Sequence, residues 1–145
     1  SSGPWGVALD NETTLCLQTP EAKINTRLNI GQPLIISQHH EQQGKTELQL
    51  ALLTRITRSQ TKLVDLELRK VASDFTGAII NEALPPHNKA LLYSADNKYY
   101  LLTPSAEPCW KGKTLSLRLH NEETVVVCIK ALVQDFGQHR VYLLF

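Results

Sequence analysis

The 145-residue chain contains no methionine, only three cysteines and 6% aromatic residues, and its formal net charge is +1. Each shortage excludes a class of protein. A near-neutral chain offers no global field for nucleic acid or an anionic membrane, so neither is an expected partner. No run approaches the roughly eighteen apolar residues of a spanning helix, and nothing follows the basic, apolar and small-residue succession of a signal peptide. A cytoplasmic chain without membrane insertion is therefore expected. Cys16, Cys109 and Cys128 are odd in number and scattered, with no CxxC and no close Cys/His pair. Free thiols are expected rather than a disulfide framework or a zinc site. Since even position 1 is not methionine, Ser1-Ser2-Gly3 resembles a processed or engineered end of a piece cut from a longer protein. Glycine-rich phosphate loops, HExxH helices, nucleophile elbows and Ser/His/Asp orders are all missing from the sequence, so an enzyme is not expected.

What the chain does have is an internal repeat. Leu15-Cys16-Leu17-Gln18-Thr19-Pro20 leads to Gly31-Gln32-Pro33-Leu34-Ile35-Ile36, and Tyr100-Leu101-Leu102-Thr103-Pro104 leads to Gly112-Lys113-Thr114-Leu115-Ser116-Leu117. Thr103 follows Thr19 by 84 residues and Gly112 follows Gly31 by 81, so the link between the two motifs differs in length. Each half then ends in a long apolar-alternating strand, a polar turn and a second strand. Such a repeat, with its own turn punctuation, predicts two copies of one small β module.

Period-two alternation dominates, and apolar content of 42% can fill one core or two small ones. The alternation predicts strands over 5–9, 14–17, 34–37, 48–57 and 62–69, then over 90–94, 98–102, 114–119, 124–133 and 140–145. Asp10-Asn11, Asp96-Asn97 and His120-Asn121-Glu122 carry hairpin turn chemistry. Short helical turns are expected near 20–27 and 71–78. Pro85-Pro86 stops any strand and is taken as the boundary between modules, 4–84 and 87–145. Many short strands favour small antiparallel barrels, closed or half-closed, as a solution to exposed edges. Two barrels packed closely in tandem are expected, because a 70-residue module has a small core. The apolar terminal run 140–145 should then be internal to a barrel or used in a dimer.

This arrangement resembles the PilZ family. The resemblance lies in the strand, Asp/Asn turn and strand, then "x-x-Gly-x-x-Leu-x-Leu", the long strand Ala51-Leu52-Leu53-Thr54-Arg55-Ile56-Thr57-Arg58, a turn, and Leu63-Val64-Asp65-Leu66-Glu67-Leu68. It covers roughly 5–69 and, more weakly, 90–145, so the whole resembles a degenerate tandem pair. The resemblance implies six-stranded barrels in bacterial signalling, where such domains commonly bind cyclic di-GMP. That binding uses an Arg-x-x-x-Arg motif before the first strand and an Asp/Asn-x-Ser-x-x-Gly motif in the first hairpin. Here Thr13 stands for the serine when counting from Asn11, Cys16 replaces the glycine, and no arginine precedes Arg27. Degenerate members of the family act as protein-interaction modules. A non-catalytic adaptor docking a protein partner, or the remainder of a longer chain, is thus the first expectation. A sensor of cyclic di-GMP or another nucleotide, with its arginines supplied from outside these residues, is the alternative. No other cofactor is implied.

Asp10, Asn11 and Thr13 in the hairpin are the candidate ligand contacts, together with Arg55 and Arg58, whose guanidinium groups suit phosphate. Strand alternation sends Arg55 and Arg58 to opposite faces, which makes solvated strand ends the competing reading. Trp5, Tyr99 and Trp110 are the candidate partner contacts, set against packing of the two tryptophans under a barrel rim. His39-His40 lacks further ligands at a useful spacing, so no metal is expected. Pairing with a second copy is a further option for an exposed edge.

Overall fold

The computed structural model describes residues 5–24, 27–106 and 109–145. Ser1-Ser2-Gly3, read above as a processed end, and Pro4, taken as the start of the first module, lie outside them. The described residues form eleven strands and one short 3-10 turn, Glu21–Lys23. The fold is all-β, in two compact units, 1–73 and 74–145.

The first unit contains β1 (Gly6–Asp10), β2 (Thr14–Pro20), β3 (Pro33–His40), β4 (Lys45–Arg58) and β5 (Leu63–Ala72). They form one antiparallel sheet in the order β1-β2-β5-β4-β3. Alternation decides its inner face: Leu15 and Leu17 of β2, Ala51 and Leu53 of β4, and Val64, Leu66 and Leu68 of β5 form one buried cluster. The β1–β2 turn is fastened by Asn11, whose Oδ1 accepts the backbone N–H groups of Thr13 (3.0 Å) and Thr14 (2.8 Å). β1 and β3 are the two edges of this sheet, and no strand among the described residues joins them. The unit is a half-barrel, one of the closed or half-closed forms expected.

The second unit contains β6 (Asp74–Ile80), β7 (Lys89–Ala95), β8 (Lys98–Pro104), β9 (Thr114–Leu119), β10 (Thr124–Asp135) and β11 (His139–Leu144). These six close into a barrel in the order β10-β11-β8-β7-β6-β9. Ile80, Leu101, Leu115, Leu117, Ile129 and Tyr142 are among its fully buried side chains. Asp96 and Asn97 both take positive φ (52° and 63°), the geometry that a two-residue hairpin joining right-twisted strands requires. The terminal strand β11 lies between β8 and β10, so the apolar end of the chain is internal to the barrel.

Two expectations are corrected here. Residues 71–78 are not helical; from Asp74 they form β6, where Phe75, Thr76, Ile79 and Ile80 are strand formers. The division also falls after Ser73, not at Pro85-Pro86. β6 pairs with β7 on one side and β9 on the other, so it belongs to the second sheet, and the two prolines lie in the loop joining β6 to β7.

The repeat is present in the pairing itself. Pro20 faces Leu63 and Pro104 faces His139 at the same place in each sheet. Gly31 N–H donates to Leu53 O (2.7 Å) while Leu53 N–H donates to Gln32 O; Gly112 N–H donates to Ile129 O (3.1 Å) while Ile129 N–H donates to Lys113 O. Both glycines take positive φ, 84° and 76°, which explains why glycine stands at each. The register of β4 on β5 shifts between Leu53 and Arg55, and that of β10 on β11 between Ile129 and Ala131. Strands β1 to β5 therefore correspond in order and pairing to β7 to β11. β6 has no counterpart among the described residues.

Candidate functional site

A cleft of about 410 Å³ opens at one end of the half-barrel, lined by Leu15, Ile36, Gln38, Glu47, Leu48, Gln49, Lys70 and Ser73. Its floor is apolar and its walls are polar for a local reason. Along β5 the inward positions run Val64, Leu66, Leu68 and then Lys70, which faces Ala51 across the sheet. An ammonium at an inward position needs a partner, and Lys70 Nζ donates to Asp10 Oδ1 from the end of β1. That hydrogen bond holds the Asp10 carboxyl below its ordinary value of 3.8, against the opposing effect of burial. The Gln38 side chain of β3 lowers it further. The opposite wall is held by Gln49, whose Nε2 donates to the carbonyls of Leu50 (3.1 Å) and Ala72 (2.9 Å). At its rim His40 Nε2 lies 3.4 Å from Glu47 Oε2. The cleft thus offers apolar contact, two amides and a cation already neutralised by Asp10. Such a lining suits a peptide better than a bare phosphate.

The candidate ligand residues do not meet in one place. Asp10 reaches the cleft, whereas Asn11 and Thr13 are engaged in their own turn. Arg55 faces Glu67 and Arg58 faces Val64, towards the other end of the β4–β5 ladder from the Thr14–Arg69 pair beside the hairpin. The ladder through residues 55–58 is regular, so Arg55 and Arg58 keep opposite faces as alternation requires. Both are exposed, and Arg58 Nε lies 3.6 Å from Glu21 Oε1. Lys70, Gln38, Glu47 and Gln49 were missed. A charged residue at the inward parity of β5 was the available signal for Lys70.

Among the candidate partner contacts, Trp5 packs half-buried against the core of the half-barrel, and Trp110 against that of the barrel. Trp110 N–H donates to Tyr142 Oη (3.3 Å), which itself donates to Cys109 Sγ (3.6 Å). Burial pushes the Tyr142 phenol up from its ordinary value. Tyr99 is 59% exposed, while its neighbour Tyr100 stacks on Tyr93 across the strand pair at 5.2 Å. Of the three, Tyr99 is the exposed ring. His39 Nδ1 lies 3.1 Å from Thr46 Oγ1, and no group of three His, Cys, Asp or Glu side chains among the described residues is placed to hold a metal ion.

The chain matches no protein-family model, no curated protein and no solved structure. No helix among the described residues is long and apolar enough to cross a membrane.

Proposed function

We propose that this chain is a non-catalytic docking module of a bacterial cytoplasmic signalling system, and that it binds a protein partner through its half-barrel. One observation carries the reading: among the described residues the outer edges of β1 and β3 have no neighbouring strand, and every residue of β1 is exposed. Unpaired edges are templates for another chain, and stable proteins cover or blunt them. Val7 and Leu9 on β1 and Ile35 on β3 are exposed apolar side chains beside those edges. The PilZ-like order of elements supplies the signalling context, by resemblance alone.

The test is photo-crosslinking in a bacterial host, from the full chain carrying a photoreactive residue at Val7, Ile35 or Tyr99. A discrete protein adduct at Val7 or Ile35 is expected. No adduct at any of the three positions would overturn the docking reading. The cleft beside the Asp10 hairpin, with Lys70 in its wall, favours a second reading as a cyclic di-GMP or nucleotide sensor. Calorimetric titration of the chain with cyclic di-GMP decides it: saturable heat abolished by Lys70→Ala supports the sensor, and no heat removes it.

A further inference from the structure

The second unit contains what the first lacks. β6 runs antiparallel between β7 and β9, with Thr76 facing Leu92, Ala78 facing both Ala90 and Leu119, and Ile80 facing Leu117. Carried through the repeat, the positions beside β6 correspond to Val7 on β1 and to Ile36 and Gln38 on β3. Leu92 packs against the barrel core. Its counterpart Val7 shares its face with the buried Leu17 yet is 57% exposed. This inward-facing valine is wet, and among the described residues no strand lies on its open side.

We propose that the space between β1 and β3 is a seat for one extended strand of a partner protein, which runs antiparallel to both edges and closes the half-barrel as β6 closes the barrel. This rests on the docking reading above and names its partner class. β6 shows the chemistry such a strand needs: it puts Ala78 and Ile80 into the core, a small residue and then a branched aliphatic two positions on. Main-chain hydrogen bonds to both edges give affinity, and the alternate inward side chains give specificity. The described residues of a second copy offer no such strand to donate. Among the described residues every strand except β1 and β3 is already paired on both sides, and those two form the seat.

The probe is a synthetic peptide of residues 73–82, Ser-Asp-Phe-Thr-Gly-Ala-Ile-Ile-Asn-Glu, added to the full chain and followed by NMR amide exchange. The expected result is saturable binding of one peptide per chain, with new protection on amides of both β1 and β3. Val7→Asp places a charge inside the closed barrel and weakens binding at least about tenfold; Val7→Thr, milder for the fold, weakens it less. Val126→Asp, at an exposed position of the barrel, leaves it unchanged. A peptide carrying Ile80→Asp does not bind. The proposal is overturned by no saturable binding, by protection on one edge only, by indifference to Val7→Asp, or by a dimer that itself buries Val7. Crosslinking to a partner at Ile35, with no new protection on β1, would overturn the seat and leave docking through the half-barrel standing.

Discussion

Leu117 and Ile36 occupy the same place in the two halves of the repeat, and truncating each to alanine measures how open the half-barrel is. Leu117 is fully buried on β9, opposite Ile80 and Val125. Cutting its isobutyl group back to a methyl loses the transfer energy of three carbons and leaves a void in a closed barrel, so Leu117→Ala costs about 3–4 kcal/mol. Ile36 is half-buried and already borders the cleft. Its truncation enlarges a space that water reaches, so no closed void forms. With about half the side-chain area to lose, Ile36→Ala costs on the order of 1 kcal/mol. Trp5 packs on one core and Trp110 on the other, so each unit carries its own fluorophore. Urea unfolding in Trp5→Phe and Trp110→Phe backgrounds reads the two losses separately. Equal losses would show that Ile36 sits in a closed core and would refute the half-barrel reading. Added strand peptide should raise the cost of Ile36→Ala towards that of Leu117→Ala.

Asn11→Ala removes the acceptor for two turn amides and should cost about 1 kcal/mol, read from the Trp5 transition, with Asp10 left in place. The Asp10 carboxyl has a lowered pKa in the folded state, so its pair with Lys70 stabilises the fold above the ordinary value of 3.8, and the gain is lost as pH falls through the lowered value. Asp10→Asn should flatten that part of the acid limb by roughly 0.2–1 kcal/mol, the pair being partly exposed; an unchanged acid limb would contradict it. Tyr142 has a raised pKa, so its contribution holds below pH 10 and falls as pH rises from there towards the folded value. Tyr142→Phe, which leaves the Trp110 N–H without this acceptor, should cost about 1–2 kcal/mol by the Trp110 transition and abolish the delayed phenol absorbance change. Arg55→Ala and Arg58→Ala should each stay within about 0.5 kcal/mol of the parent, because both are exposed strand residues.

Ten of the eleven strands were legible because nothing competes with alternation in them. Thr114–Leu119 coincides with its expected bounds, and the Asp96-Asn97 turn sets the β7–β8 register as its residues dictate. β6 was lost for two physical reasons. Ser73-Asp74 ahead of Phe75 resembles a helix cap, and Gly77 interrupts the strand pattern. The Pro85-Pro86 pair then drew the boundary to itself, although a proline pair ends a hairpin arm as effectively as it ends a domain. Strand order is invisible to local pattern. Only the pairing shows that β1 to β5 repeat β7 to β11 and that β6 stands outside the repeat.

The site was less legible than the fold because its residues are ordinary one by one. Asp10 could be named from its hairpin, but the residue that gives it meaning is Lys70, sixty positions away and distinguishable only by its parity with Val64, Leu66 and Leu68. Arg55 and Arg58 drew attention through charge, yet both lie on outer or terminal positions where charge is cheap to solvate. The more informative residue is Val7, whose apolar side chain faces inward and remains wet. A sequence cannot show that, since a valine in an alternating run looks the same with or without a neighbour. It becomes visible when the two copies are set side by side and one strand is found in only one of them.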